Sequence, residues 1–205
     1  SHKLIPTASI GISIFPADGS SPVDLIKAAD AAMYRAKDQG RNRFAFYTEV
    51  MSREIREKFN AAAELRRALQ DGELLLHYQP QVSATDGRLM GVEALVRWQH
   101  PTRGLIPPLQ FIPMAEELGL IEDVGRWVLD EACGQMRRWL DAGVPIPRVA
   151  VNVAPPQLND AFVRHVAQTL AATGLGPRHL ELEITEGALE SGEQVTSILK
   201  RLRAM

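Results

Sequence analysis

The first fifty residues switch between two hydrophobic periods. Residues 7–15 alternate apolar and polar positions, which predicts a strand, and residues 43–47 predict a second short strand. Between them, in residues 21–40, apolar positions recur at helical spacing, with Pro22 in the first turn. The predicted buried stripe of this helix is Leu25, Ile26, Ala29, Ala32, Met33 and Ala36. Two strands and a helix are too few for an independent sheet domain, so we expect residues 1–50 to be the remnant of a larger α/β domain.

A change of pattern follows this segment. A polar, charge-mixed helix is predicted over residues 52–70, and we interpret residues 51–72 as a linker. The strands predicted beyond it cover residues 74–78, 91–98, 148–153 and 180–186, and the helices cover residues 109–118, 122–142, 160–173 and a last segment reaching residue 205. Because these strands alternate with amphipathic helices, residues 73–205 are predicted to form a parallel α/β fold.

The composition is that of a globular protein with a core, since 45% of the 205 residues are hydrophobic and 23% are charged. A net charge of −2 gives no basic surface for nucleic acid, so we expect neither DNA nor RNA as a partner.

No apolar run approaches the about 18 residues of a membrane-spanning helix, so we expect no membrane segment in this chain. We expect a cytoplasmic location, while a longer parent protein could be membrane-tethered elsewhere. Cys133, the single cysteine, is predicted to be a buried core residue.

Three predicted strands carry oxygen-bearing side chains. Residues 91–98 place Glu93 and Arg97 on one face, and apolar residues on both faces predict that this strand is covered on both sides. Asn152 interrupts an apolar run, and Glu183 lies in the last predicted strand. Active sites of parallel α/β barrels assemble at the C-terminal ends of strands, and this oxygen set suits Mg²⁺ or Mn²⁺ better than zinc. The alternative is structural: Glu93 and Arg97 could form a buried salt bridge with each other or with other partners.

Motifs from about residue 64 to the chain end resemble EAL domains. They are Tyr78-Gln79-Pro80, Glu93-Ala94-Leu95-Val96-Arg97-Trp98 followed by Gln99-His100-Pro101, Gly104 with Pro107 and Phe111-Ile112-Pro113, Val151-Asn152-Val153 and Glu183-Ile184-Thr185-Glu186. Residues 8–12, 29–34 and 36–42 resemble the closing part of GGDEF domains. Because the two domains are often fused in bacteria, each resemblance supports the other.

The resemblance implies a modified TIM barrel that hydrolyses one phosphodiester of cyclic di-GMP to linear pGpG with Mg²⁺ or Mn²⁺. The implied metal ligands are Glu93, Asn152 and Glu183, and the implied dinucleotide contacts are Gln79, Leu95 and Arg97. In the GGDEF segment the resemblance places Lys37 and Arg41, one helical turn apart, at GTP phosphates. The alternative for this pair is that cations near a helix C-terminus complement the helix dipole.

The resemblance also implies a second metal-binding stretch, two adjacent Asp residues in a DDFG-like motif, which these 205 residues do not contain. A (β/α)₈ barrel typically needs about 250 residues. We therefore expect an α/β fold in which an incomplete EAL-type TIM barrel, residues 73–205, follows the GGDEF remnant, with no complete catalytic set and no activity of this chain alone. The alternatives are a non-catalytic cyclic di-GMP receptor and an interaction module. We also expect that the EAL domain can form a homodimer.

Overall fold

The computed structural model describes residues 7–185 and 193–205. The chain divides into two compact units, Ser1–Ala61 and Ala62–Met205, and the division falls inside helix α2, where a linker role stays a prediction. The strands are β1 (Ile10–Ile12), β2 (Phe44–Phe46), β3 (Leu74–Val82), β4 (Leu89–His100), β5 (Gly104–Ile106), β6 (Val149–Val153) and β7 (Leu180–Ile184). The helices are α1 (Pro22–Asp38), α2 (Glu49–Asp71), α3 (Pro108–Glu117), α4 (Ile121–Asp141), α5 (Asp160–Thr173) and α6 (Glu193–Arg203). Within the described ranges, no helix is long and apolar enough to cross a membrane.

The first unit is a two-stranded parallel sheet against which α1 packs. This contact is close, because a Cβ added at Gly11 in β1 would lie 1.9 Å from the Ala29 carbonyl oxygen. The buried residues of α1 are Ala28, Ala31, Ala32 and Ala36. Ile26 was predicted in the buried stripe but is 63% exposed, although Ala29 and Met33 of the same stripe lie against Gly11 of β1. The predicted strand, helix and strand are confirmed, and the predicted stripe is wrong at Ile26.

The second unit is built on a sheet with the strand order β3-β4-β6-β7, and β5 pairs with the end of β4. β4, β6 and β7 run parallel, as predicted, while β3 and β5 are antiparallel to β4. The pattern did not predict β5, because three residues are too short to show a period. The described residues form no closed barrel, and the α/β class is confirmed.

The two faces of β4 have different surroundings. Val92, Ala94, Val96 and Trp98 are buried in the core beneath the helices. Glu93, Leu95 and Arg97 point to the opposite face and are only partly buried. The prediction that both faces are covered is therefore wrong for the described residues. The helices cover one face of the sheet, and the other face is concave.

A hydrogen bond between distant strands shows how strongly the sheet curls. Gln81 Nε2 in β3 donates to Glu183 Oε1 in β7 at 3.0 Å. Three strand spacings separate β3 from β7, roughly 14 Å in a flat sheet, which is too far for these two side chains to meet without curvature. Among the described strands β7 pairs only with β6, so its other edge has no strand partner there. Glu186, the last residue of the predicted strand, lies outside the described residues.

Gly125→Ala should destabilise the second unit, although alanine normally favours a helix over glycine by about 1 kcal/mol. A Cβ at Gly125 in α4 would lie 1.7 Å from Gln157 Nε2. Gln157 is only 4% exposed, and its Oε1 accepts a hydrogen bond from the Ala154 backbone N–H at 2.9 Å. Because the substitution displaces this buried amide, we expect urea denaturation to show a loss of about 1 to 3 kcal/mol in the free energy of unfolding.

Gly134→Ala in the same helix is the matched control. Its added Cβ would meet only the end of a flexible side chain, Arg138 Nη1, at 3.6 Å. We expect its free energy of unfolding to stay unchanged or to rise by up to about 1 kcal/mol. Equal effects of the two substitutions would contradict the close approach of α4 to Gln157.

Candidate functional site

Strand register brings the predicted oxygen-bearing side chains to one face of the curled sheet. Gln79 in β3 lies opposite Glu93 in β4, and Glu93 lies opposite Ala150 in β6. Two residues further along β6, Asn152 lies opposite Glu183 in β7. Since paired residues point to the same face and every second residue of a strand does so, these four polar side chains share the concave face. Strand register therefore brings the three implied metal ligands to one face, and metal binding by them stays a prediction.

Asn152 and Glu93 are in direct contact. Asn152 Nδ2 donates to Glu93 Oε1 at 2.6 Å, which joins β6 to β4 across the concave face. Glu93 lies near the middle of the long strand β4, but the part of β4 that pairs with β6 ends at Ala94. The parallel-paired segments thus place Glu93, Asn152 and Glu183 near their C-terminal ends, where sites of parallel α/β folds assemble.

The side chains of Leu95 and Arg97 point to the same face of β4 as Glu93. Arg97 Nη1 donates to the Val96 carbonyl oxygen at 2.9 Å, and its side chain is only partly buried. Arg97 lies four positions after Glu93 in β4, so their Cα atoms are about 13 Å apart along the strand. The alternative of a Glu93–Arg97 salt bridge is therefore wrong, since each side chain has a different partner.

The donor set fits a hard divalent cation. Glu93 and Glu183 offer carboxylate oxygens, and Asn152 offers an amide oxygen after rotation of its side chain. In the described part of the chain, no group of three or more His, Cys, Asp or Glu side chains could hold a metal ion, and this set has only two such residues. All-oxygen donors of this kind suit Mg²⁺ or Mn²⁺, and zinc sites use nitrogen and sulfur more often.

An ion pair that the sequence did not predict lies beside this set. Arg148 Nε contacts Glu181 Oε2, and both atoms are buried. Gly91 in β4 makes room for it, because a Cβ there would lie 2.8 Å from Arg148 Cγ. Glu181 shares a face with Glu183, so strand alternation alone makes both of them candidate ligands. The arginine neutralises Glu181 and leaves Glu183 as the carboxylate available in β7.

A cavity of about 470 Å³ adjoins the oxygen set. Its walls come from α3, α4, the middle of β4 and the ends of β6 and β7. Asn152 and Glu183 contribute polar atoms, and Leu95, Leu109 and Ile112 contribute apolar surface. Leu109 is the most exposed of these apolar residues, at 90%. The site thus combines charged oxygens with an open apolar wall, which suits a cation at the oxygens and a planar apolar group against the wall.

Lys37 and Arg41 in the first unit are not one helical turn apart. α1 ends at Asp38, and Arg41 lies beyond it in a left-handed conformation with φ of 57°. Lys37 is exposed in the last turn of α1, where a cation complements the helix dipole. The predicted helical spacing of the pair is therefore wrong, and their role at a GTP phosphate stays a prediction.

Residues 62–205 match the EAL domain family. The chain belongs to the EAL-domain family. Residues 1–43 match the diguanylate cyclase, or GGDEF, domain, so the resemblance to both domains is confirmed. The EAL match covers the whole second unit, which carries the concave face described above.

Two curated relatives contain both ends of this chain. It is 47% identical over 206 residues to the bifunctional diguanylate cyclase/cyclic di-GMP phosphodiesterase MucR of Pseudomonas aeruginosa. It is 40% identical over 201 residues to the cyclic di-GMP phosphodiesterase PdeR of Escherichia coli. These alignments cover 100% and 97% of this chain but 30% of each relative. The chain thus spans less than a third of the length of these relatives.

A solved structure supports the EAL fold. The PaMucR phosphodiesterase in complex with c-di-GMP superposes with a TM-score of 0.67 at 48% sequence identity. The superposition covers 71% of this chain and 60% of that chain. The predicted incomplete EAL-type barrel is therefore confirmed at the level of the fold.

Sequence analysis of the EAL unit missed Gln81, which contacts Glu183 directly. Gln81 lies two residues beyond Gln79 in β3, so strand alternation places both on the concave face. The alternation of side chains along β3 could therefore have identified Gln81 as a residue of the concave face. It could not show which side chain Gln81 meets, because the contact depends on the curl of the whole sheet.

Cys133 has no catalytic character in the folded chain. Its side chain is completely buried in α4, as predicted for a core residue. Burial raises the pKa of the Cys133 thiol to about 12, and the nearby Asp130 carboxylate adds to this increase. Because the thiolate is the nucleophile and metal ligand, a thiol with this pKa takes no part in a site near neutral pH.

Cys133 should therefore be unreactive towards a disulfide reagent such as DTNB at pH 8 while the chain is folded. Burial and the raised pKa both suppress reaction, and denaturant removes both effects. We expect one thiol per chain to react in guanidinium chloride and essentially none in buffer, measured as absorbance of the released thiolate. Rapid stoichiometric reaction of the folded chain would contradict the buried position.

Proposed function

We propose that the EAL unit is part of a cyclic di-GMP phosphodiesterase that hydrolyses cyclic di-GMP to pGpG with Mg²⁺ or Mn²⁺. The observation that carries this proposal is the shared concave face, on which Glu93 and Glu183 flank Asn152 beside a partly apolar cavity. The relatives named as cyclic di-GMP phosphodiesterases support the same activity.

In this proposal Glu93, Asn152 and Glu183 hold the divalent cation. Once bound, the cation supplies charge neutralisation at a phosphoryl oxygen and activates water near neutral pH. The hydrogen bond from Asn152 keeps the Glu93 carboxylate on the concave face while no cation is bound. Two carboxylates on one face repel each other, which favours binding of a dication between them.

The dinucleotide is proposed to bind along β3 and β4. Arg97 offers a planar guanidinium whose donors match a phosphate, and its present contact to a backbone carbonyl is a weak competitor. Leu95 lines the cavity next to the oxygen set, which suits the face of a nucleobase. Gln79 is exposed opposite Glu93 and can donate to a ligand oxygen.

Two further roles are proposed. In the first unit, exposed Lys37 and Arg41 would contact GTP phosphates. In the second unit, the edge of β7 that has no strand partner among the described residues would favour pairing of two EAL units.

A non-catalytic cyclic di-GMP receptor is the second candidate. The second metal-binding stretch implied by the resemblance, two adjacent Asp residues, is not among these 205 residues. Alone, the 205-residue chain should therefore bind cyclic di-GMP without turning it over.

Incubation of the purified 205-residue chain with cyclic di-GMP and Mn²⁺ should yield no pGpG by liquid chromatography, while calorimetry detects binding. Arg97→Ala should weaken that binding by about 10-fold to 100-fold, because a charge-assisted hydrogen bond contributes about 1.5 to 3 kcal/mol. Turnover by the chain alone would support a complete site. Absence of binding would favour the interaction module.

In the full-length gene product, Glu93→Gln should reduce pGpG formation at least about 100-fold, because the amide removes one negative charge from the cation site. Glu131→Gln is the matched control, since Glu131 pairs with Arg138 on the surface of α4. The control should keep full activity. Full activity of Glu93→Gln, at saturating and at limiting Mn²⁺, would exclude Glu93 from the metal site.

A further inference from the structure

We propose that Gln81 is a positioning residue that holds the Glu183 carboxylate in the orientation needed to bind the divalent cation. This inference rests on the proposed function, because it takes Glu183 as a cation ligand. Its basis is the hydrogen bond from Gln81 Nε2 to Glu183 Oε1 at 3.0 Å, which joins the first and last strands of the β3-β4-β6-β7 path.

The chemistry of the two groups fixes the direction of this bond. An ionised carboxylate can only accept hydrogen bonds, so the amide nitrogen of Gln81, and not its oxygen, faces Glu183. The bond occupies Oε1 and leaves Oε2 of the same carboxylate available to a cation. Gln81 can therefore keep its contact while Glu183 binds the cation, and no exchange of partners is needed.

The Glu183 side chain is long and only partly buried, so its orientation depends on the partners that it contacts. Fixing a long, flexible side chain costs conformational entropy, which a preformed hydrogen bond offsets before the cation arrives. Each carboxylate of the proposed site thus has one amide donor: Asn152 for Glu93 and Gln81 for Glu183. Partners of this kind orient metal ligands, and losing one typically weakens metal affinity by about 10-fold to 100-fold.

A purely structural role for Gln81 makes a different prediction. If the bond only helped the sheet to curl, its loss would lower thermal stability and leave cation affinity unchanged. Gln81 is partly exposed, so the side chain can be changed without opening a large core cavity. Cation affinity and stability can therefore be measured separately.

The experiment uses Mn²⁺ alone as the probe, with the 205-residue chain, and follows unbound Mn²⁺ by electron paramagnetic resonance. Gln81→Met keeps the length of the side chain and removes its donors. Gln81→Asn keeps the amide and shortens its reach. We expect both variants to raise the dissociation constant for Mn²⁺ about 10-fold or more while the melting temperature stays close to that of the unchanged chain. Gln168→Met, at an exposed position on α5, is the matched control and should bind Mn²⁺ normally.

A second readout does not depend on the cation. The side-chain NH₂ resonances of Gln81, identified by their loss in Gln81→Met, should shift in Glu183→Gln and stay in place in Glu131→Gln. Unshifted resonances in Glu183→Gln would overturn the contact itself.

The outcomes separate this inference from the proposed function. Normal Mn²⁺ affinity in Gln81→Met, together with weakened affinity in Glu183→Gln, would overturn the role of Gln81 and leave the metal site intact. The proposed metal site would be contradicted if the unchanged chain, Glu93→Gln and Glu183→Gln bound Mn²⁺ with equal affinity, or if none of them bound it. Either result would also contradict the role of Gln81, because that role takes Glu183 as a cation ligand.

Discussion

The register of β4, β6 and β7 is the constraint on which the concave face depends. Val149, Val151 and Val153 of β6 are buried against the helices, which forces Asn152 to the other face. A slip of one residue would expose these valines and turn Asn152 into the core, at a cost of several buried side chains. The apolar core therefore sets the position of Asn152 opposite Glu183, and the polar site needs no stabilising interaction of its own to achieve that alignment.

Charge on this face is distributed unevenly between its carboxylates. Glu181 has a cationic partner in Arg148, whereas Glu93 and Glu183 each receive a hydrogen bond from a neutral amide. An amide orients a carboxylate without cancelling its charge, so negative charge remains concentrated at two positions. Repulsion between the two carboxylates destabilises the face, and in the proposed metal site a bound dication would relieve that repulsion.

The sequence predicted best those elements whose ends carry local signals. α5 occupies the predicted range because the Asn159 side chain accepts a hydrogen bond from the Phe162 N–H at 3.0 Å and Gly174 adopts a left-handed φ of 64°. The pattern missed β5 and the extension of β4, because their pairing of Trp98 with Ile106 is a tertiary contact. Ile26 was misplaced because helical spacing shows which residues share a stripe, and it does not show how much of that stripe the short strands β1 and β2 cover.

For the site, alternation within strands was enough to predict that Glu93, Asn152 and Glu183 share a face, but it could not separate Glu183 from Glu181. The two are identical side chains on the same face of one strand. What separates them is Arg148, which pairs with Glu181 in a space that exists because Gly91 has no Cβ. Such a contact joins three strands that are distant in sequence, so no local pattern contains it. Alternation therefore defines which carboxylates can reach the site, and partners from other strands determine which of them stays available for a cation.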